Sequence, residues 1–323
     1  MNILKGKKVL ITGGAGFIGS NLCEHFVREN EVICLDNLSN GFEENITHLK
    51  NLPNFSFIKG DIRDEELVNE ILSDGMYVFH NAALGSVSRS VENPLNTNTH
   101  NIDGFLNVLN AARLNNVERF IYASSSSTYG DHPGLPKVED KIGNPISPYA
   151  VTKLCNELYA NTFHRSYGTP VIGLRYFNVF GKNQNPRGAY AAAIPRFVEA
   201  YINNSEITIF GDGEQTRDFT HIENVIQAIE CAATSSNSDI FGNVFNIAFG
   251  SRISLNDLIA LIKEAGEELG LKNSFEIKYG EPRVGDIRDS FASIEKAKSL
   301  LNYSPNISLK EGLRKLIALK ISE

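Results

Sequence analysis

Val9-Leu10-Ile11-Thr12-Gly13-Gly14-Ala15-Gly16-Phe17-Ile18-Gly19 is the stretch that decides the fold. A short β-branched, apolar run ends at a glycine cluster, and an apolar-periodic segment from Phe17 to Phe26 follows, so the order is strand, tight turn, helix. Gly14, Gly16 and Gly19 have the spacing of the dinucleotide fingerprint; Gly13, Gly16 and Gly19 have that of a variant of it. Glycine lets the backbone come close to a pyrophosphate at a helix N-terminus, where free N–H groups face the anion. Such a loop is common by itself, and its context makes the reading strong. Glu31-Val32-Ile33-Cys34-Leu35 forms the next strand, and Asp36 stands at its end, where a carboxylate accepts hydrogen bonds from the adenosine ribose. Asp36 would repel a 2′-phosphate, and Asn37-Leu38-Ser39-Asn40 offers no arginine to offset it, so NAD is expected rather than NADP.

The same rhythm continues. Strands are expected at 55–58, 76–79, 120–123 and 169–174, and the repeats make an open, doubly wound parallel sheet the natural topology. Asp61-Ile62 follow the third strand, where Asp61 can reach an adenine edge or cap the next helix. The fourth runs into His80-Asn81-Ala82-Ala83-Leu84-Gly85, whose small residues let backbone pass close to a cofactor; His80 reads as a packed core residue. One long helix is expected over 94–115, with Leu95, Ile102, Phe105, Leu106 and Leu109 on one stripe. The fifth strand ends in Ser124-Ser125-Ser126-Ser127-Thr128-Tyr129-Gly130, which puts hydroxyls in the crevice where ligands bind. After about residue 180 the rhythm breaks. Residues 181–323 read as a smaller mixed α/β lobe beside a dinucleotide-binding domain of residues 1–180, with the chain free to cross between them more than once.

Ser147-Pro148-Tyr149-Ala150-Val151-Thr152-Lys153 carries the chemistry. Ser147 is a good N-cap and Pro148 a good first helical residue, so Tyr149 falls in the first turn with Lys153 one turn on, on the same face. Free tyrosine ionises near 10, so a phenolate base near pH 7 needs stabilising by about 4 kcal/mol. The Lys153 cation and the positive helix end both push that way.

The formal charge of −7 leaves no electrostatic footprint for nucleic acid. Cys23, Cys34, Cys155 and Cys231 lie far apart without metal spacing, so neither a zinc site nor a disulfide framework is indicated. The N-terminus reads neither as a signal peptide nor as a membrane span, and a cytoplasmic protein is expected.

The ordered series of motifs resembles the extended short-chain dehydrogenase/reductases, and more narrowly their nucleotide-sugar 4-epimerases. It comprises the glycine turn, Asp36, Asp61-Ile62, the serine run, Tyr149/Lys153, Leu174-Arg175-Tyr176-Phe177-Asn178, the segment from Gly211 to Phe219, and Arg283-Val284-Gly285-Asp286. Ser124 to Asp140 and Gly188-Ala189-Tyr190-Ala191-Ala192 are most similar to the bacterial UDP-N-acetylglucosamine 4-epimerases. The resemblance implies a tightly held NAD, contacted by Gly13, Gly16, Phe17, Ile18, Gly19, Asp36, Asn37, Asp61, Ile62, Ala82, Ala83, Leu84, Ser124, Tyr149, Lys153, Tyr176 and Val179. It implies that Tyr149 takes the proton of the sugar 4-hydroxyl, directly or through Ser125 or Ser126, and that the 4-keto sugar turns over before the hydride returns. A UDP-hexose would be held by Gly85, Ser86, Ser125, Ser126, Asn178, Ala192, Ala193, Arg217, Arg283, Asp286 and Ser290, and relatives form homodimers through two paired helices.

Two departures narrow the activity. Ser126 and Ser127 stand where related dehydratases and decarboxylases carry a carboxylic acid, which leaves epimerisation. Ser290 stands where relatives restricted to non-acetylated sugars carry a bulky tyrosine, which leaves space for an N-acetyl group. UDP-GlcNAc and UDP-GalNAc are the expected pair. UDP-N-acetylhexosaminuronates, with Arg89, Arg187 or Ser86 as the carboxylate partner, and UDP-glucose are close rivals, and a non-catalytic NAD-binding module is a remote one.

Overall fold

The computed structural model describes residues 2–186, 192–281 and 288–322. Six strands form where the apolar runs place them: β1 (Lys8–Thr12), β2 (Glu31–Asp36), β3 (Phe55–Lys59), β4 (Tyr77–His80), β5 (Arg119–Ser125) and β6 (Val171–Tyr176). All are parallel, in the spatial order β3-β2-β1-β4-β5-β6. The chain therefore starts in the middle of the sheet, winds to one edge, returns and winds to the other. The reversal between β1 and β4 opens a crevice at the carboxyl ends of those strands, the place where such sheets bind ligands.

Among the helices that follow these strands are α1 (Phe17–Phe26), α2 (Glu65–Ile71), α3 (Val87–Glu92), α4 (Pro94–Asn98), α5 (Gly104–Leu114) and α6 (Pro148–Tyr167). The single helix expected over 94–115 is instead α4 and α5 joined by a π-helical turn, Thr99–Asp103. Asn101 sets that turn: its side chain accepts from Leu84 N at 2.8 Å and donates to the Thr152 hydroxyl at 3.1 Å. A wider turn shifts the helical phase, so the expected stripe does not hold. Phe105 and Leu109 are fully buried while Leu95 is 79% exposed.

Beyond β6 the strands are short. β7 (Val179–Phe180) pairs with β10 (Thr220–His221), β8 (Ile207–Phe210) with β13 (Ile277–Gly280), and β9 (Thr216–Arg217) with β12 (Ile253–Ser254). α7 (Ala193–Ile202), α8 (Ile222–Thr234), α9 (Leu255–Glu268), α10 (Glu295–Leu301) and α11 (Leu309–Ser322) lie among them. β11 (Asn243–Ile247) returns to the main sheet and pairs parallel with β6, giving seven strands. One face of the sheet packs on α1 and α8, the other on α2, α5 and α6. A third core joins α7, α9 and α11 to β8. The fold is a doubly wound α/β sheet with a smaller mixed α/β lobe at its C-terminal side.

Candidate active site

A cleft of about 560 Å³ occupies the switch point. Gly13, Gly16, Phe17, Ile18 and Gly19 line one wall, and Asp36, Asn37, Ile62 and Ala82 to Gly85 continue it. Ser124, Ser125, Ser126, Tyr149 and Lys153 form the other side, closed by Tyr176, Asn178 and Val179. Backbone crowding explains the glycines. Gly13 has φ +68°, and a Cβ there would lie 2.7 Å from Ala82 N; one at Gly19 would lie 2.1 Å from the Gly13 carbonyl oxygen. Gly16 caps α1 without a side-chain hydrogen bond, so the first-turn N–H groups are left to an anion.

Asp36 is 8% exposed. Its carboxylate accepts from Ala15 N at 2.9 Å and Leu38 N at 2.8 Å, bracing the glycine turn against the next loop. Burial pushes its pKa up and these two N–H groups pull it back. Asp61 does not cap the following helix; Asp64 does, accepting from Leu67 N. Arg63 grips Asp61 at 2.7 and 2.9 Å and Asn37 donates to it at 2.8 Å, which holds its carboxyl well below the usual range. It braces Asn37, which lines the cleft, and is not itself among the lining residues.

Ser147 caps α6 through Ala150 N, and Pro148 opens the helix. Tyr149 and Lys153 then share the face turned to the end of β5. Lys153 Nζ donates to the Ala123 carbonyl at 2.7 Å and stands 6.0 Å from the Tyr149 ring centroid. The Ser125 hydroxyl is the polar group that acts on the phenol, and it accepts from Ser127 N at 3.1 Å. Burial raises the pKa of Tyr149, and Ser125 opposes the rise. Withdrawing a phenolate from water costs more than one hydroxyl contact returns. Burial also pushes Lys153 down to about 8, against the attraction of Glu157. His80 lies deeper, bonded to the Thr12 hydroxyl at 3.0 Å and packed against Phe105 and Phe120. Burial, with Lys153 adding to it, pushes its pKa down to about 3, so it is neutral.

A second cleft of about 210 Å³ shares Asn178 and Val179 with the first and is lined by Ala192, Ala193 and Arg217. Arg217 Nη1 donates to the carbonyls of Thr216 at 2.9 Å and Arg288 at 3.1 Å. Asn178, at φ +34°, donates its amide to the Asp218 carbonyl at 3.1 Å. Ser290 N donates to the Thr216 carbonyl, next to Arg217, at 3.1 Å. Neither Ser290 nor Ser86 is among the lining residues of the two clefts; Ser86 caps α3. Arg187, the segment from Gly188 to Ala191, Arg283 and Asp286 lie outside the described residues.

Several lining residues carry no sequence signal of their own. Ser39, Asn40, Gly41 and Phe42 close over the glycine turn, and His100 enters from the π-helical turn. Arg89 reaches across to Asn40 Oδ1 at 3.4 Å, so an arginine distant in sequence meets the loop that brought none itself. Asn81 also lines the cleft, and its Oδ1 is buried without a partner among the described residues. Among those residues no cluster of His, Cys, Asp or Glu could hold a metal, and no helix is long and apolar enough to cross a membrane.

A sheet that reverses beside a glycine turn, with tyrosine, lysine and serine gathered across the crevice, defines a dinucleotide-binding α/β protein of the short-chain dehydrogenase type. The chain belongs to the NAD dependent epimerase/dehydratase family, whose profile matches residues 9–248, and its cofactor is NAD. It is 37% identical to a putative UDP-glucose 4-epimerase of Methanocaldococcus jannaschii, over 96% of this chain and 97% of that one. Its structure superposes with a TM-score of 0.92 on a UDP-N-acetylglucosamine 4-epimerase of Methanobrevibacter ruminantium in complex with UDP-N-acetylmuramic acid, at 39% identity over 99% of both chains. A UDP-glucuronic acid 4-epimerase from Bacillus cereus, in complex with UDP-glucuronic acid and NAD, gives a TM-score of 0.86 at 32% identity, covering 98% of this chain and 100% of that one. The glycine crowding, the uncapped start of α1 and the unpartnered Asn81 oxygen all fit that cofactor.

Proposed function

We propose that the chain is a UDP-hexose 4-epimerase acting on the N-acetylated pair UDP-GlcNAc and UDP-GalNAc. The observation that carries this reading is that Tyr149, Lys153 and Ser125 line one cleft together, and that this cleft shares Asn178 and Val179 with the second. When bound, NAD supplies a hydride acceptor that gives the hydride back, so the reaction needs no outside oxidant. The chain's own residues handle the proton and the grip. Ser125, which lines the same cleft as the phenol, relays the proton of the 4-hydroxyl to Tyr149 and returns it after the sugar has turned over. Lys153 stabilises the phenolate by its charge, and its carbonyl anchor at Ala123 keeps the ammonium at the cleft. Arg217 and Asn178, with Arg283, hold the diphosphate, since guanidinium forks match phosphate oxygens; Ala192, Ala193 and Asp286 hold the nucleoside.

What supports the N-acetylated substrate over UDP-glucose is the resemblance, by which the serine at 290 stands where relatives restricted to non-acetylated sugars carry a bulky tyrosine. A uronate substrate has weaker support, because Arg89 is turned to Asn40. A second copy of the chain is the proposed partner, on the exposed apolar side chains Val91 (64%), Leu95 (79%), Val151 (50%) and Leu158 (62%) of α3, α4 and α6.

The test is C4 inversion across a panel of UDP-GlcNAc, UDP-glucose and the uronates, with the nucleotide extracted from the purified protein identified in parallel. UDP-GlcNAc is expected to be turned over best. Tyr149→Phe should lower kcat by about 10² to 10⁴-fold with NAD still bound. No inversion of any UDP-hexose by the NAD-loaded wild type, or full activity of Tyr149→Phe, would contradict the reading.

A further inference from the structure

α6 turns a third side chain toward the end of β5. Tyr149, Lys153 and Glu157 are spaced four apart, and they meet three consecutive residues of the strand. Lys153 meets the Ala123 carbonyl, Ser125 acts on the phenol, and Ser124 between them donates its hydroxyl to Glu157 Oε1 at 2.5 Å. Glu157 is 7% exposed and Arg175 3%. Arg175 grips the carboxylate as a fork, Nε to Oε1 at 2.9 Å and Nη2 to Oε2 at 2.7 Å. It comes from β6 at the position that pairs with Ser124 in the sheet. One buried carboxylate thus ties together the helix that carries the base, the strand that carries the serines, and the next strand.

Stability does not explain such a pair. Burying two charges costs about what their attraction returns, and well-packed apolar residues serve as well or better. We propose that Glu157 is a positioning residue for the epimerisation assigned above: its fixed negative charge, one helical turn from Lys153, keeps that side chain an ammonium, and its oxygen orients the Ser124 hydroxyl at the cleft.

The groups around Lys153 leave this task to Glu157. On α6 they are Tyr149 and Glu157; on β4, His80; on β5, Tyr122; on β6, Arg175 and Tyr176. His80 is neutral, and burial pushes the phenols of Tyr122 and Tyr176 up, leaving them uncharged, while Tyr149 is the group that Lys153 serves. Glu139 meets Arg175 through its backbone carbonyl and turns its carboxylate to Asn246 N. Burial drives Lys153 toward the neutral amine and Glu157 resists it.

The sign of the effect follows. Support that depends on an ammonium is present below the lysine's pKa and lost as pH rises through it. Removing the Glu157 charge should therefore move the alkaline limb of kcat to lower pH.

The experiment uses the full NAD-loaded chain and compares wild type, Glu157→Gln and Glu157→Asp. Turnover is followed against pH, and Lys153 is titrated by NMR of ε-13C lysine, its signal assigned with Lys153→Met. In Glu157→Gln both the alkaline limb and the lysine titration should fall by about one pH unit, and Glu157→Asp, which keeps the charge, should recover most of that fall. Should Glu157→Gln leave Arg175 unpaired and fail to fold, Glu157→Gln/Arg175→Met removes both charges and should show a downward move of both readouts smaller than about one pH unit, since the opposing guanidinium leaves with the carboxylate; no move there overturns the proposal. A uniform loss of rate with neither the limb nor the titration moved overturns the proposal. The proposal rests on Tyr149 and Lys153 as base and support: full activity in Tyr149→Phe would sink that reading, whereas an inactive Tyr149→Phe beside an unmoved lysine sinks only the role of Glu157.

Discussion

The two clefts that meet at Asn178 and Val179 are built in opposite ways. One wall of the cofactor cleft is a backbone construction: one tight turn, one helix start and one strand end, all within residues 9–36, with no room for a Cβ at Gly13 or Gly19. The smaller cleft is a side-chain construction, assembled from two-residue strands and from residues between 178 and 255. A cofactor that stays bound suits a rigid wall. A sugar that must be released, turned and caught again suits contacts confined to its nucleotide, with little holding the ring.

The largest effect should come from the rigid wall. Gly19→Ala places a methyl group against the Gly13 carbonyl, a backbone atom that cannot step aside. We expect a stability loss of about 1–3 kcal/mol from overpacking, read by denaturant unfolding, and protein that purifies with little NAD. Full occupancy would show that the turn is less constrained than its contacts indicate. Arg217→Ala should act on the other cleft alone. Losing charged hydrogen bonds to phosphate, about 1.5–3 kcal/mol, should raise KM for the UDP-sugar by about tenfold or more, with NAD content unchanged; a fall in NAD content would tie the two clefts together.

This contrast also explains what was readable in the sequence. Residues 9–36 announce themselves because each glycine is demanded by local backbone geometry, and Ser147-Pro148 marks the start of α6 by capping chemistry alone. Tyr149, Lys153 and the serines could be brought together from strand and helix positions. The return of β11 to the sheet left no local mark, because pairing with β6 is decided by packing far along the chain. The π-helical turn was equally silent, since it depends on Asn101 bonding to Leu84 and Thr152. Burial decided the phenol's balance, and burial is a property of the finished fold.

The narrowest expected effect, confined to one sugar, sharpens the substrate. Ser290→Tyr should lower kcat/KM for UDP-GlcNAc by about 10–200-fold, the range for a pocket that loses space, while UDP-glucose changes little. Equal effects on both sugars would remove Ser290 from the question of specificity.

The central claim is that one captive cofactor carries hydrogen away from C4 and returns it to the same carbon. UDP-GlcNAc deuterated at C4, followed by mass spectrometry to equilibrium with UDP-GalNAc in ordinary water, tests it most directly. The account predicts that both epimers keep the label in full; loss of deuterium to solvent in step with inversion would contradict it.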